Sequence, residues 1–162
     1  MGTVQHDSET LAEGQQVFTA CAFLWREENG VKQVFLARRA STKKFLPSVW
    51  ELPGGHIDYG EDMRVGLARE VMEEFGMQTH IGEVVDVFTY LNEVKKSHSI
   101  EVIYFAQFTS PLADIQLNPE DHSEYRWFAE DELEQAYVDP KDANDPEIQA
   151  IRKGFARLKA EE

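Results

Sequence analysis

Gly55 to Met77 reads GHIDYGEDMRVGLAREVMEEFGM, and the fold turns on how this stretch is read. From Met63 to Phe75, Leu67, Ala68, Val71, Met72 and Phe75 recur at the spacing of one apolar helix face. Gly76 stands where a helix commonly ends in a left-handed residue. Glu70, Glu73 and Glu74 are spaced i, i+3 and i+4, so they project from one side of that helix within about one turn. Like charges so placed repel by roughly a few tenths of a kcal/mol per pair. A hard divalent cation with oxygen ligands offsets that repulsion, and Arg69, four residues before Glu73, can offset it further. Three glutamates alone would read as a solvated acidic face. Their surroundings change the reading.

Upstream, Glu51-Leu52-Pro53-Gly54-Gly55 enforces a turn, preceded by Phe45, Leu46 and Trp50 and by a polar loop from Ser41 to Lys44. Before that loop, Val17 to Trp25 is an apolar run broken by Thr19, Asn29-Gly30 is a hairpin turn, and Gln33 to Ala37 returns as a second strand. Downstream come strand-like runs at Ile81 to Leu91 and Ile100 to Thr109, and a short strand at Tyr125 to Phe128. Glu130 to Ala136 reads as a brief helix. Glu147 to Leu158 reads as a longer one, with Ile148, Ile151, Phe155 and Leu158 on one stripe. These elements predict an α/β domain with a mixed β-sheet sandwiched between α-helices, spanning 16–162, with residues 1–15 as a flexible N-terminal arm.

The 162 residues suit one domain, and a 42% apolar fraction is enough for a core. The net charge of −14, from 30 acidic against 16 basic residues, repels polyanions and disfavours a nucleic-acid polymer as partner. Cys21, the only cysteine, lies in an apolar run and reads as a small buried hydrophobe. No apolar run is long enough to span a bilayer, and the polar start carries no signal peptide, so a cytoplasmic monomer or homodimer is expected.

Five residues separate Gly55 from Glu61, seven separate Glu61 from Arg69, and Gly76-Met77 closes the pattern. The stretch resembles the Nudix box, Gly-x5-Glu-x7-Arg-Glu-U-x-Glu-Glu-x-Gly-U with U aliphatic or similar, and every specified position matches. The preceding Leu-Pro-Gly-Gly, the N-terminal hairpin and the late Trp127 agree with it. The resemblance implies the Nudix fold, with the box as loop–helix–loop. It also implies Mg²⁺ or Mn²⁺ held by Glu70, Glu73 and Glu74, with a carbonyl of Gly54 or Gly55 completing the shell. Arg69 becomes the orienting partner of the glutamates and Glu61 a structural element of the turn. Glu74 is the first candidate for the general base. Glu120 and Asp121, before Trp127, resemble the acidic loop of MutT-type members, or are surface charges.

Arg38-Arg39-Ala40 resembles a MutT-type Arg-Arg-Ala whose second arginine contacts substrate phosphate, which would be Arg39; a solvated strand end is the competing reading. Ala143-Asn144-Asp145-Pro146 resembles the stretch in which such enzymes read an oxidised guanine, which would make Asn144 a base reader. Asn144 in the N-cap region of a helix with Pro146 in its first turn fits the same residues. Tyr104, Phe105, Phe45 and Trp50 could stack on a base, although core packing explains most of them as well. His56, His98 and His122 have no partner at metal-ligand spacing and read as surface or loop histidines. The implied function is hydrolysis of a nucleoside diphosphate linked to another group. A (d)NTP pyrophosphohydrolase, acting on 8-oxo-dGTP or its relatives, comes first. An ADP-ribose or nucleotide-sugar pyrophosphatase comes second, and a regulatory binding module without turnover third; RNA decapping ranks lower.

Overall fold

The structure is a computed structural model that describes residues 14–162. Seven strands form one mixed sheet: β1 (Gln16–Glu28), β2 (Val31–Arg39), β3 (Trp50–Glu51), β4 (Gly54–His56), β5 (Thr79–Asn92), β6 (Ser97–Phe108) and β7 (His122–Ala129). Along the sheet the order is β3-β2-β1-β6-β5, with β4 also on β1 and β7 also on β2. Among the described residues only the β1–β6 pair runs parallel. Helix α1 (Met63–Phe75) covers one face and α2 (Pro146–Ala160) the other.

The apolar run in β1 has its reason in that sandwich, since a strand covered on both sides is apolar on both. Ala20, Ala22 and Leu24 pack with Leu67, Val71 and Phe75 of α1. Cys21 and Phe23 pack with Ile148, Ile151 and Phe155 of α2. On the α1 side Phe35 is wholly buried, with the rings of Phe75, Phe108, Tyr125 and Trp127 within 5.3 Å of its own, centroid to centroid.

β1 changes partner along its length. Gln16–Leu24 pairs with β6, Thr19–Cys21 also pairs with β4, and only Trp25–Glu28 reaches β2. The sheet therefore forks between the beginning of β1 and the end of β2, and β3 and β4 line the fork.

Three expectations need correction. Strands begin earlier than their apolar residues (Thr79, Ser97 and His122), because backbone pairing continues through polar side chains. The turn at Leu52-Pro53 is flanked by the short strands β3 and β4, since its neighbours find partners on β2 and β1. The brief helix expected at Glu130–Ala136 is present as a 3₁₀ helix. Gly14 and Gln15 are tied to the β5–β6 turn, Gly14 N–H donating to Lys96 O at 3.1 Å and His98 N–H to Gln15 O at 2.9 Å. The rest of the expected arm, residues 1–13, lies outside the described residues. Among those residues no helix is long and apolar enough to cross a membrane.

Candidate active site

Helix α1 is fixed at both ends. Asp62 accepts hydrogen bonds from the Arg64 and Val65 N–H groups at 3.0 and 3.1 Å, and Gly76, at φ 67°, donates to Met72 O. Between the caps Arg69 organises the acidic face. Its guanidinium grips Glu61 with two hydrogen bonds of 2.7 and 2.9 Å and donates to Glu70 and Glu73 at 3.1 Å each. It also donates to His56 O at 3.3 Å. The planar fork of arginine suits such bidentate contacts. Glu61 accordingly belongs to the framework, accepting the Asp58 N–H at 3.1 Å as well.

The glycines of the turn are required by close approach. A Cβ on Gly55 would lie 2.6 Å from the Glu70 carboxyl, and one on Gly54, at φ 152°, would lie 2.2 Å from Ala20 O. Glu70 and Glu74 thus sit under the turn, while Glu73 is exposed. Burial raises the Glu70 carboxyl to about 7, with Arg69 opposing and Glu73 adding to the rise. Burial pushes Glu74 further up, reinforced by Glu51, Glu70 and Asp121 and opposed by the Gly54 N–H it accepts. One buried, one half-buried and one exposed carboxyl, all oxygen donors on one helix face, fit a hard divalent cation. Burial is the main cause of both rises, and a bound cation would favour the charged carboxylates against it.

A buried bridge lies behind them. His122 Nε2 is 2.8 Å from Glu51 and its Nδ1 is 3.6 Å from Glu74, with the ring stacked on Phe75. Arg39 donates to Phe45 O at 2.9 Å and contacts Glu51 at 3.3 Å. Burial pushes Glu51 up, but Arg39, His122 and Lys141 outweigh it and hold the carboxyl at about 2.

These groups line one cavity of about 450 Å³. Of the expected site residues, Gly54, Arg69, Glu70, Glu73, Glu74, Arg39 and Asp121 all line it. Arg39 is no solvated strand end, because the fork in the sheet buries it. Asp121 pairs with Lys43 at 3.2 Å across the opening. Glu120 is exposed and absent from the lining, as is Asn144. The cap of α2 is Asp145, which accepts from the Glu147 and Ile148 N–H groups at 2.9 and 3.2 Å. Phe45 lines the cavity, whereas Trp50 and Tyr104 are buried in the two cores and Phe105 packs against one.

His56 and His122 are buried, contrary to the surface reading, because pairing of β4 with β1 and of β7 with β2 draws them inward. His98 is partly buried on β6. Sequence reasoning also missed the far wall of the cavity. Thr19 and Cys21 of β1, Tyr90 of β5, Glu101 of β6 and Glu147 of α2 meet there, with Cys21, Glu101 and Glu147 offering ligand atoms within 4.8 Å of one another. Lys141 donates to Glu147 at 2.6 Å and to Trp50 O at 2.7 Å. The one visible signal was Glu101, a lone acid inside an apolar strand run.

The NUDIX domain family pattern matches residues 16–151. An m7GpppN-mRNA hydrolase, NUDT17 of Danio rerio, is 36% identical over 77 residues, 48% of this chain, and the chain covers only 24% of that protein. The nucleoside triphosphatase NudI of Escherichia coli O81 (strain ED1a) is 26% identical over 106 residues, covering 60% of this chain and 74% of that one. Among solved structures, a MutT protein from Methanosarcina mazei Go1 superimposes with a TM-score of 0.69 at 24% identity, covering 91% of this chain and 98% of the other.

Proposed function

We propose that this chain, which belongs to the NUDIX family, is a Nudix hydrolase, a nucleoside-triphosphate pyrophosphohydrolase of MutT type that releases a nucleoside monophosphate. The observation that carries this reading is the single cavity in which Glu70, Glu73 and Glu74 face the cationic side chains of Arg39 and Lys43. Polyphosphate laid between them meets positive charge on one wall. On the other it meets carboxylates able to hold Mg²⁺ or Mn²⁺, with the Gly54 carbonyl as a further ligand.

The bound cation supplies charge neutralisation on the phosphate oxygens and a more acidic water. The chain's own residues do the rest. Glu74 takes the proton from the attacking water. Its raised basicity suits that task, and His122 lies beside it with Nδ1 3.6 Å from the carboxyl. The water oxygen bonds to phosphorus, the bridging P–O bond breaks, and inorganic pyrophosphate leaves with the bond's electron pair. Arg69 keeps Glu70 and Glu73 in register. Arg39, stiffened by Phe45 O and Glu51, orients the phosphates. Asp121 is the second candidate for the base, and its pairing with Lys43 would have to open first.

The charge of −14 supports a small nucleotide over an RNA chain as substrate. Cytoplasmic residence goes with that substrate. A panel of nucleoside triphosphates, ADP-ribose and nucleotide sugars, assayed with Mg²⁺ for monophosphate release, tests the reading. Triphosphates are expected to be the best substrates; a preference for ADP-ribose or a sugar nucleotide would overturn the assignment and keep the chemistry.

A further inference from the structure

The far wall of the cavity has no task in the hydrolysis itself, and its chemistry is unusual. Glu101 is 5% exposed. Its Oε1 receives a long hydrogen bond, 3.4 Å from Thr19 Oγ1, and its Oε2 has no N–H or hydroxyl donor among the described residues. Burial beside the Glu147 carboxyl pushes its proton affinity well above the ordinary range, a rise that two donors from a ligand would reverse. The nearby ammonium of Lys141 is committed to Glu147 and Trp50 O, and Glu147 also accepts the Leu52 N–H at 3.1 Å. A buried acceptor without a donor costs free energy until a ligand supplies one. The rings of Phe45 and Tyr90 line the same cavity, 6.3 Å apart between centroids and within 8° of parallel, so the cavity that holds this acceptor also offers aromatic faces. Cys21, next to Glu101, pairs with Gly54 in the β1–β4 ladder, so this wall adjoins the turn that covers the box glutamates.

We propose that Glu101 selects the base, accepting two neighbouring N–H donors from a planar heterocycle of the guanine type, through its ring N1–H and its 2-amino group. This rests on the nucleotide reading above and names the base that reading leaves open. A carboxylate matches a pair of adjacent donors in the bidentate manner in which it matches a guanidinium. An adenine edge, with one donor beside one acceptor, leaves one Glu101 oxygen facing a lone pair. A metal ion is the weaker occupant, because the Lys141 ammonium 2.6 Å from Glu147 repels it.

Two measurements test the proposal. With Mg²⁺, kcat/KM for GTP is expected to exceed that for ITP, which lacks only the 2-amino group, by about 10-fold to 100-fold. In Glu101→Gln the ratio should fall to near one, because the amide replaces an acceptor with a donor. A merely structural role for Glu101 would lower both substrates by the same factor and leave the ratio untouched, which would overturn the proposal. Calorimetric binding of GMP, IMP and AMP reads the same wall without turnover. Tighter binding of GMP, lost in Glu101→Gln, supports the proposal even where no triphosphate is hydrolysed and the triphosphate reading falls. Equal binding of the three monophosphates to the unaltered protein overturns it.

Discussion

At one end of the cavity Glu70, Glu73 and Glu74 crowd a single helix face, and the guanidinium of Arg69 bonds the first two of them and grips Glu61 behind. At the other end Glu101 and Glu147 come from different elements, β6 and α2, and one ammonium, that of Lys141, is committed to Glu147 and the Trp50 carbonyl. Both ends gather acids, yet what they leave unbalanced differs. The helix end keeps carboxylate charge in reach of solvent through Glu73, where a divalent ion can enter. The strand end is buried but lines the same cavity, and what it leaves is an acceptor oxygen at Glu101 short of a donor. An excess of charge calls for a cation; an orphaned acceptor calls for a donor on a neutral ligand. The same residue type, glutamate, can therefore serve chemistry at one end and recognition at the other.

The largest effect should come from breaking the strand end. Lys141→Met removes the cation from a closed pair and leaves Glu147 uncompensated, which typically costs about 3–5 kcal/mol of folding free energy. Chemical denaturation should show the loss with little change in metal affinity. An unchanged midpoint would mean that Glu147 carries no charge in the folded protein, and the contrast between the two ends would fail.

Glu74→Gln should strike the helix end alone. Turnover is expected to fall by about 10² to 10³, roughly 3–4 kcal/mol of transition-state stabilisation. The metal-free protein should melt no lower than the parent, because a buried carboxyl with a raised proton affinity is replaced by a neutral amide. Near-normal turnover would remove Glu74 from the machinery.

The helix end also makes a prediction about pH. Glu70 has its ordinary value of 4.5 in the unfolded chain and about 7 when folded. Between these values the folded protein keeps a proton that the unfolded chain has lost. Glu70's contribution to the stability of the metal-free protein should therefore be fully present below about 4.5 and be lost as pH rises through about 7, by about 3 kcal/mol, with the raised Glu74 carboxyl adding a loss of the same sign. Adding Mg²⁺ at pH 8 should restore it, and thermal melts across pH with and without the ion check both limbs. A flat metal-free profile would show that Glu70 is not held against its charge.

The contrast also explains what could be read from the chain. Glu70, Glu73 and Glu74 were legible because helix geometry turns a spacing of three and four residues into one face, and Arg69 sits within the same turn. The α/β/α layering was legible from the doubly apolar β1 and the stripes on α1 and α2. Glu101, Glu147 and Lys141 were not, since nothing local brings together residues separated by tens of positions. Their meeting depends on the parallel pairing of β1 with β6 and on where α2 lands. His122 was misread for the same reason: an isolated histidine becomes a buried bridge between Glu51 and Glu74 only once β7 pairs with β2.

The smallest expected effect concerns the edge of the strand end, where sequence resemblance and structure point to different neighbours. Asn144 is exposed, and its N–H is engaged by Asp142 at 2.9 Å. Asp145, the next residue, caps α2 and thereby sets Glu147, its second residue, where it meets Lys141 and the Leu52 N–H. Asp145→Ala should cost about 1 kcal/mol by loss of the cap and should loosen Glu147. Asn144→Ala, a surface change away from any such feature, should stay within about 0.5 kcal/mol and leave KM for triphosphates unchanged within error. Steady-state kinetics and melts on the two variants separate these roles. A raised KM in Asn144→Ala with unchanged stability would mean that this loop folds over the bound nucleotide, and base selection would then be shared between Glu101 and a residue outside the cavity wall.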